Sequence, residues 1–243
     1  MLWIGATLTA AFLLALINTA DKFFLTTWIK PRILLLLIGV MQGITACVAI
    51  RIAGLDPISP PLMFLAFCTG GLFFAYVFLI LSGIQGEEVS RVLPLLYIYP
   101  LIVLPFSAFF LGESLTTIQY WGIGAIIAGA VLTSVRENSL PRLNKSLLAA
   151  LSGALIFGLY SVLLKYLLSF ADFWSIFFYT RLGMIAITIP LIIAQWPSIK
   201  ETIRTNTTSA LGILLFSELI ASLALFLHTL ATKLGPVSIV SAL

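Results

Sequence analysis

The stretch SRVLPLLYIYPLIVLPFSAFFLGESLTTIQYWGIGAIIAGAVLTSVR, residues 90–136, decides the fold class because it holds two long apolar runs parted by the short polar break Gly112-Glu113-Ser114. A helix needs about 20 mostly apolar residues to cross the hydrocarbon core of a bilayer. Both runs approach that length, and neither shows the in-out alternation of a membrane strand. The pattern recurs along the whole chain, predicting spans at about 3–25, 33–52, 62–83, 90–111, 118–135, 147–168, 173–196 and 211–232. A ninth begins at Pro236. No basic residue precedes Trp3 and no small-x-small cleavage site follows the first span, so this span is expected to stay in the protein.

Composition agrees with that reading. Apolar residues are 61% of the 243 and charged residues 9%, whereas a soluble domain is about a quarter charged. Mean hydropathy is +1.16. The few charges cluster between spans. Lys30, Arg32, Arg91, Arg136, Arg142, Lys145, Lys200 and Arg204 fall after odd-numbered spans, against Arg51 and Lys233 after even-numbered ones. Because cytoplasmic loops carry the excess of Lys and Arg, the odd loops are predicted to be cytoplasmic and the N-terminus outside. The net charge of +4 then serves the lipid surface and gives no support to nucleic-acid binding. Cys47 and Cys68 sit in apolar runs and read as small hydrophobes.

An internal repeat appears at an offset of 148 residues. Aligning 78–95, FLILSGIQGEEVSRVLPL, with 226–243, FLHTLATKLGPVSIVSAL, matches six of 18 positions, among them Val89 with Val237 and Ser90 with Ser238. Five spans, a basic loop, and a second run of spans read as a duplication. An odd number of spans per unit turns the copies upside down relative to each other, the inverted-repeat plan of many secondary transporters. The expected organisation is a first unit at 1–136, a basic linker at 137–145 and a second, incomplete unit at 146–243. The same offset carries Glu113 to position 261 and the end of the fifth helix to about 283, so most of a ninth helix and a tenth are expected beyond Leu243.

The residues of 90–136 resemble the EamA branch of the drug/metabolite transporter superfamily. The resemblance rests on a proline-bearing fourth helix ending in Phe-Leu-Gly-Glu at 110–113, a Gln-Tyr-Trp-Gly opening of the fifth at 119–122, and a glycine-rich run through Gly124 and Gly129. In the second unit, GLYSVLLK at 158–165 and FFYTRLG at 177–183 fit the same family. It implies an all-α membrane fold of ten helices in two inverted five-helix units, with helices one, three, four, six, eight and nine around a central cavity. Its expected activity is export or exchange of a small metabolite, such as an amino acid, amine or drug-like solute, by alternating access. Its expected location is the inner membrane of a cell.

Intramembrane ionisable groups cost about 2.5–3.5 kcal/mol at a helix centre on insertion scales, so each asks for a role. Glu218, in LLFSELIASL, is the leading candidate for substrate-amine binding or proton coupling; the plainer reading is an interhelical hydrogen bond. His228, ten residues on, fits a relay with it, although a lone His is more often a packing residue. Asn18 and Lys22 share a face of the first helix, with Lys165 in the matching place of the sixth; each Lys suits a substrate carboxylate or snorkels to the interface. Tyr160 belongs to the same motif as Lys165. Arg181 wants a partner, with Glu218 one choice. Pro94, Pro100 and Pro105 interrupt the fourth helix and suggest cavity lining, with Tyr97 and Tyr99 between them offering hydroxyls and ring faces. Gly112 and Glu113 form a structural motif, the carboxylate accepting from the amides that open the fifth helix. Gly122, Gly124 and Gly129 are expected to seat a neighbouring helix.

No phosphate-binding loop, nucleophile elbow or His-rich metal site is legible, so no catalytic residue, metal or cofactor is expected. The sequons at Asn144 and Asn206 fall in loops assigned to the cytoplasm. The expected partners are a small-molecule substrate and the lipid bilayer, with a homo-oligomer or a completing partner chain also open. The second reading is accordingly a non-transporting membrane subunit that packs against another chain.

Overall fold

The structure, a computed structural model, describes residues 2–134 and 144–243. Its elements are helices: α1 (Leu2–Thr27), α2 (Pro31–Ala53), α3 (Pro60–Gly86), α4 (Val89–Leu96), α5 (Pro100–Leu111), α6 (Thr117–Ser134), α7 (Lys145–Phe170), α8 (Phe173–Ala194), α9 (Trp196–Thr205), α10 (Thr208–Leu234) and α11 (Val237–Val240). Among the described residues, seven spans are long and apolar enough to cross a membrane, α4 and α5 together making one of them. The eighth expected span is α6, of 18 residues. Most of the linker expected at 137–145, together with Arg136, lies outside the described residues. Its last two residues are the cap and first residue of α7.

Local chemistry sets the ends. Proline opens α2, α3 and α5, where its missing N–H is not needed. Asn144, Asp172 and Thr207 cap α7, α8 and α10 by accepting from the amides of Leu147, Trp174 and Ala210. The fourth span breaks at Pro100, the middle one of its three prolines, and helix continues through Pro94 and Pro105. Pro100 has no N–H to give the carbonyl of Leu96, and the amide of Tyr99 bonds it instead, at 3.0 Å, within the tight turn that links α4 to α5. Gly112 closes α5 at φ +65°, a conformation that a side chain strains, and the amide of Glu113 reaches back to Ser107 O at 3.3 Å.

The two halves interleave. α3 lies against α7 and α8, α1 runs along α10, α2 packs on α8, and α4 and α5 cross α7. In repeat terms α1 on α10 and α7 on α3 are the same pair, first helix of one unit on third helix of the other. The two interior lysines make this concrete. Lys22 Nζ donates to the carbonyls of Ile84 at 2.7 Å and Glu87 at 3.0 Å, where α3 ends. Lys165 Nζ donates to Thr232 at 2.9 Å, Lys233 at 3.3 Å and Gly235 at 2.8 Å, where α10 ends. Each cation satisfies carbonyls that a helix C-terminus leaves free and meets the negative end of its dipole.

Two expectations are corrected by packing. Glu113 does accept from helix-opening amides, but those of α11: Val237 N at 2.8 Å and Ser238 N at 3.1 Å, with the Ser238 hydroxyl as a third donor. The amide and hydroxyl of Thr116 instead pair with Gln119 at the start of α6. Gly122, Gly124 and Gly129 have open space where a side chain would stand, because α6 meets α4 by another face.

Candidate functional site

A cavity lies among α1, α2, α3, α7 and α10. Helical periodicity builds its walls. Leu14, Ile17, Asn18 and Asp21 make one stripe of α1, while Phe73, Tyr76, Val77, Ile80 and Leu81 make one of α3. α10 contributes Glu218, Ala221, Leu225 and His228. Ile38 and Gln42 come from α2 and Phe157 from α7. The 148-residue offset carries Phe73 onto Ala221, Val77 onto Leu225 and Ile80 onto His228, so equivalent positions of α3 and α10 face the same space.

Polar groups in this cavity lack partners. Glu218 and Gln42 are each 1% exposed and Asp21 is 5% exposed. Both carboxylate oxygens of Glu218, Oδ1 of Asp21, both amide atoms of Gln42 and Nε2 of His228 are buried without a hydrogen-bond partner among the described residues. Buried polar groups are nearly always satisfied in folded proteins, so such a cluster around one cavity marks a place that a solute or water fills.

A second cavity adjoins the first, sharing Leu14, Asn18, Tyr76, Phe157 and His228 with it. It is bounded further by Tyr97 and Tyr99 at the α4–α5 break and by Val240 and Ser241 at α11. Its walls thus come from the first, third, fourth, sixth, eighth and ninth helices, the set that the sequence resemblance implies, and α2 adds Gln42 to the first cavity.

The candidate residues separate into groups. Glu218, Asn18 and His228 line the first cavity, and Tyr97, Tyr99, Asn18 and His228 the second. Lys22 and Lys165 hold helix ends. Tyr160 is fully buried, its ring 5.0 Å from that of Phe73, and its hydroxyl has no partner among the described residues. The pairing of Arg181 with Glu218 does not form. Arg181 is 1% exposed and sets its guanidinium 4.5 Å from the ring of Phe177 and 5.8 Å from that of Phe73, because α8 is drawn against α3 there. Pro100 opens α5 and parts it from α4, whereas Pro94 lies inside α4 and Pro105 inside α5 without breaking either.

Asp21, Gln42 and Tyr76 line the first cavity, and sequence reasoning missed them. Asp21 stands three residues after Asn18, hence on one face of α1, a signal overshadowed by Lys22 next to it. Gln42 is an uncharged polar residue at the middle of an apolar span, invisible to a search for charges alone.

Two grooves outside the cavity are also related by the repeat. Phe74 and Phe78 with Leu191 and Gln195 line one; Ser222 and Phe226 with Val48 and Ile52 line the other. The offset is 148 for Phe74 to Ser222 and Phe78 to Phe226, and 143 for Val48 to Leu191 and Ile52 to Gln195, as it is for Lys22 to Lys165.

Comparison with known proteins gives the fold and the family. A crystal structure of a protein 20% identical to this chain matches 98% of it, and 84% of that protein's own chain, with a TM-score of 0.74. No curated protein sequence matches. The family model for EamA-like transporters matches residues 1–135, more than half of the sequence. The chain, a multi-pass membrane protein of helices, therefore belongs to the EamA-like transporter family.

Proposed function

We propose that this chain is a secondary transporter that exports or exchanges a small metabolite, such as an amino acid, amine or drug-like solute, by alternating access. The observation that carries the reading is the cavity whose polar groups, on Asp21, Gln42, Glu218 and His228, are buried without hydrogen-bond partners among the described residues. A solute entering it supplies the hydrogen bonds that the protein leaves unmade. Paired seams give a means of access. The α3–α8 seam and its repeat equivalent, the α10–α2 seam, each flank the cavity and a groove, and loosening them in turn exposes the cavity first to one face and then to the other. Candidate contacts are Asn18, Glu218 and His228, with Tyr97 and Tyr99 on the adjoining path. The excess of Lys and Arg in the odd-numbered loops supports a cytoplasmic position for that face.

The test is flux of radiolabelled amino acids, amines and neutral solutes into liposomes holding the purified protein. Flux above protein-free liposomes, lost in Glu218→Gln with protein of normal elution, is the expected result. No flux for any solute, or flux indifferent to Glu218→Gln, overturns the reading.

A further inference from the structure

The cavity wall carries two carboxyl groups and neither a Lys nor an Arg. Its ionisable wall residues are Asp21, Glu218 and His228. The cations nearest in the fold stand behind this wall: Lys22 donates to the carbonyls that end α3, Lys165 to those that end α10, and Arg181 lies against the rings of Phe177 and Phe73, its Nε and Nη2 buried without a hydrogen-bond partner among the described residues. Among the described residues the ion pair is Arg91 with Glu87, at the end of α3 and outside the cavity. Neither carboxyl group has an ion-pair partner among the described residues. Burial and mutual repulsion oppose their ionisation; a cationic solute favours it and gains more from the charge than it would in water, whereas an anionic solute opposes it.

The remaining walls fit an amphipathic cation. Phe73, Tyr76 and Phe157 present aromatic rings, whose faces attract an ammonium group, and Ile17 and Leu225 give apolar contact. The free acceptors of Glu218 and Asp21, with Oε1 of Gln42, answer the three N–H donors of a primary ammonium. We propose that the cavity is a binding site for an amphipathic primary amine, held as its ammonium ion by Asp21 and Glu218 with Gln42 as third acceptor and the α3 and α7 rings around its apolar part. This deepens the transport reading, and rests on it for the cavity's being the solute's path.

The test is equilibrium binding to the purified full chain in nanodiscs. The probes are hexylamine, phenethylamine and tryptamine, with 2-phenylethanol and phenylacetate as neutral and anionic counterparts of phenethylamine. Saturable binding of at least one amine is expected, with phenethylamine, if it binds, favoured over 2-phenylethanol by about tenfold or more and phenylacetate not bound. Asp21→Asn and Glu218→Gln each weaken amine binding by about tenfold or more, while Asp21→Glu, which keeps the charge, restores most of it. Should the amide variants fail to elute as folded protein, the charge series on the unaltered chain decides alone. Binding of none of the three amines, equal binding of alcohol and amine, or amine binding indifferent to Asp21→Asn and Glu218→Gln in folded protein overturns the site. Flux of acids or neutral solutes without amine binding overturns it and leaves the transport reading standing, whereas amine binding without flux does the reverse.

Discussion

The seam between α3 and α8 and the seam between α10 and α2 occupy equivalent places in the two halves, yet one is sealed and the other is not. At the first, backbones touch: a Cβ on Gly70 would stand 1.9 Å from the carbonyl oxygen of Thr180, and one on Gly183 would stand 2.0 Å from that of Phe67. At the second, α10 touches α2 much less, and the 148-residue offset places Glu218 where α3 has Gly70. Small residues let membrane helices meet closely; a carboxylate holds them apart and needs something to bond. One side of an inverted repeat has become a tight packing surface, and its counterpart the wall of a polar cavity.

The largest expected effect breaks the sealed seam. Gly70→Ala forces α3 away from backbone that cannot yield, at a cost of about 2–3 kcal/mol. Its repeat counterpart, Glu218→Gln, keeps shape and exchanges a buried carboxyl for a neutral amide, so no comparable loss is expected. Thermal unfolding in detergent measures both, and equal losses would end the contrast. Next come the helix-end cations. Lys165→Met strands three carbonyls and Lys22→Met two, so losses of about 1–3 kcal/mol are expected, with Lys165→Met the greater.

The smallest effect concerns the foot of the sealed side. The amide of Asn144, 2.7 Å away, and after it the guanidinium of Arg91 hold the Glu87 carboxyl below its ordinary value of 4.5. A carboxyl held low stabilises the fold above that ordinary value and loses its contribution as pH falls through the lowered one. The unfolding temperature should therefore drop on acidification below about 4.5, and Glu87→Gln should remove that part of the drop.

Span positions were legible because bilayer thickness imposes one length on every helix. Reading 211–232 as a span placed Glu218 deep in it before any contact was known. Lys22 and Lys165 were found as a matched pair, yet their partners are carbonyls of helices more than 60 residues distant in sequence, which no local pattern encodes. Glu113 was read as a cap, and its target, α11, depended on which helix the opposite half brings near. Asp21 and Gln42 become site residues only once α1, α2 and α10 surround one space.

The most direct test of alternating seams is to measure spin-label distances by double electron–electron resonance in nanodiscs. One pair of labels replaces Val48 and Phe226 across one groove, the other Leu191 and Phe78 across its repeat counterpart, with Cys47 and Cys68 removed. Distances are compared with and without the solute that liposome flux identifies. The account predicts that solute shifts the two distance distributions in opposite directions, one seam closing as the other opens. Distributions that stay fixed, or that shift together, would contradict it.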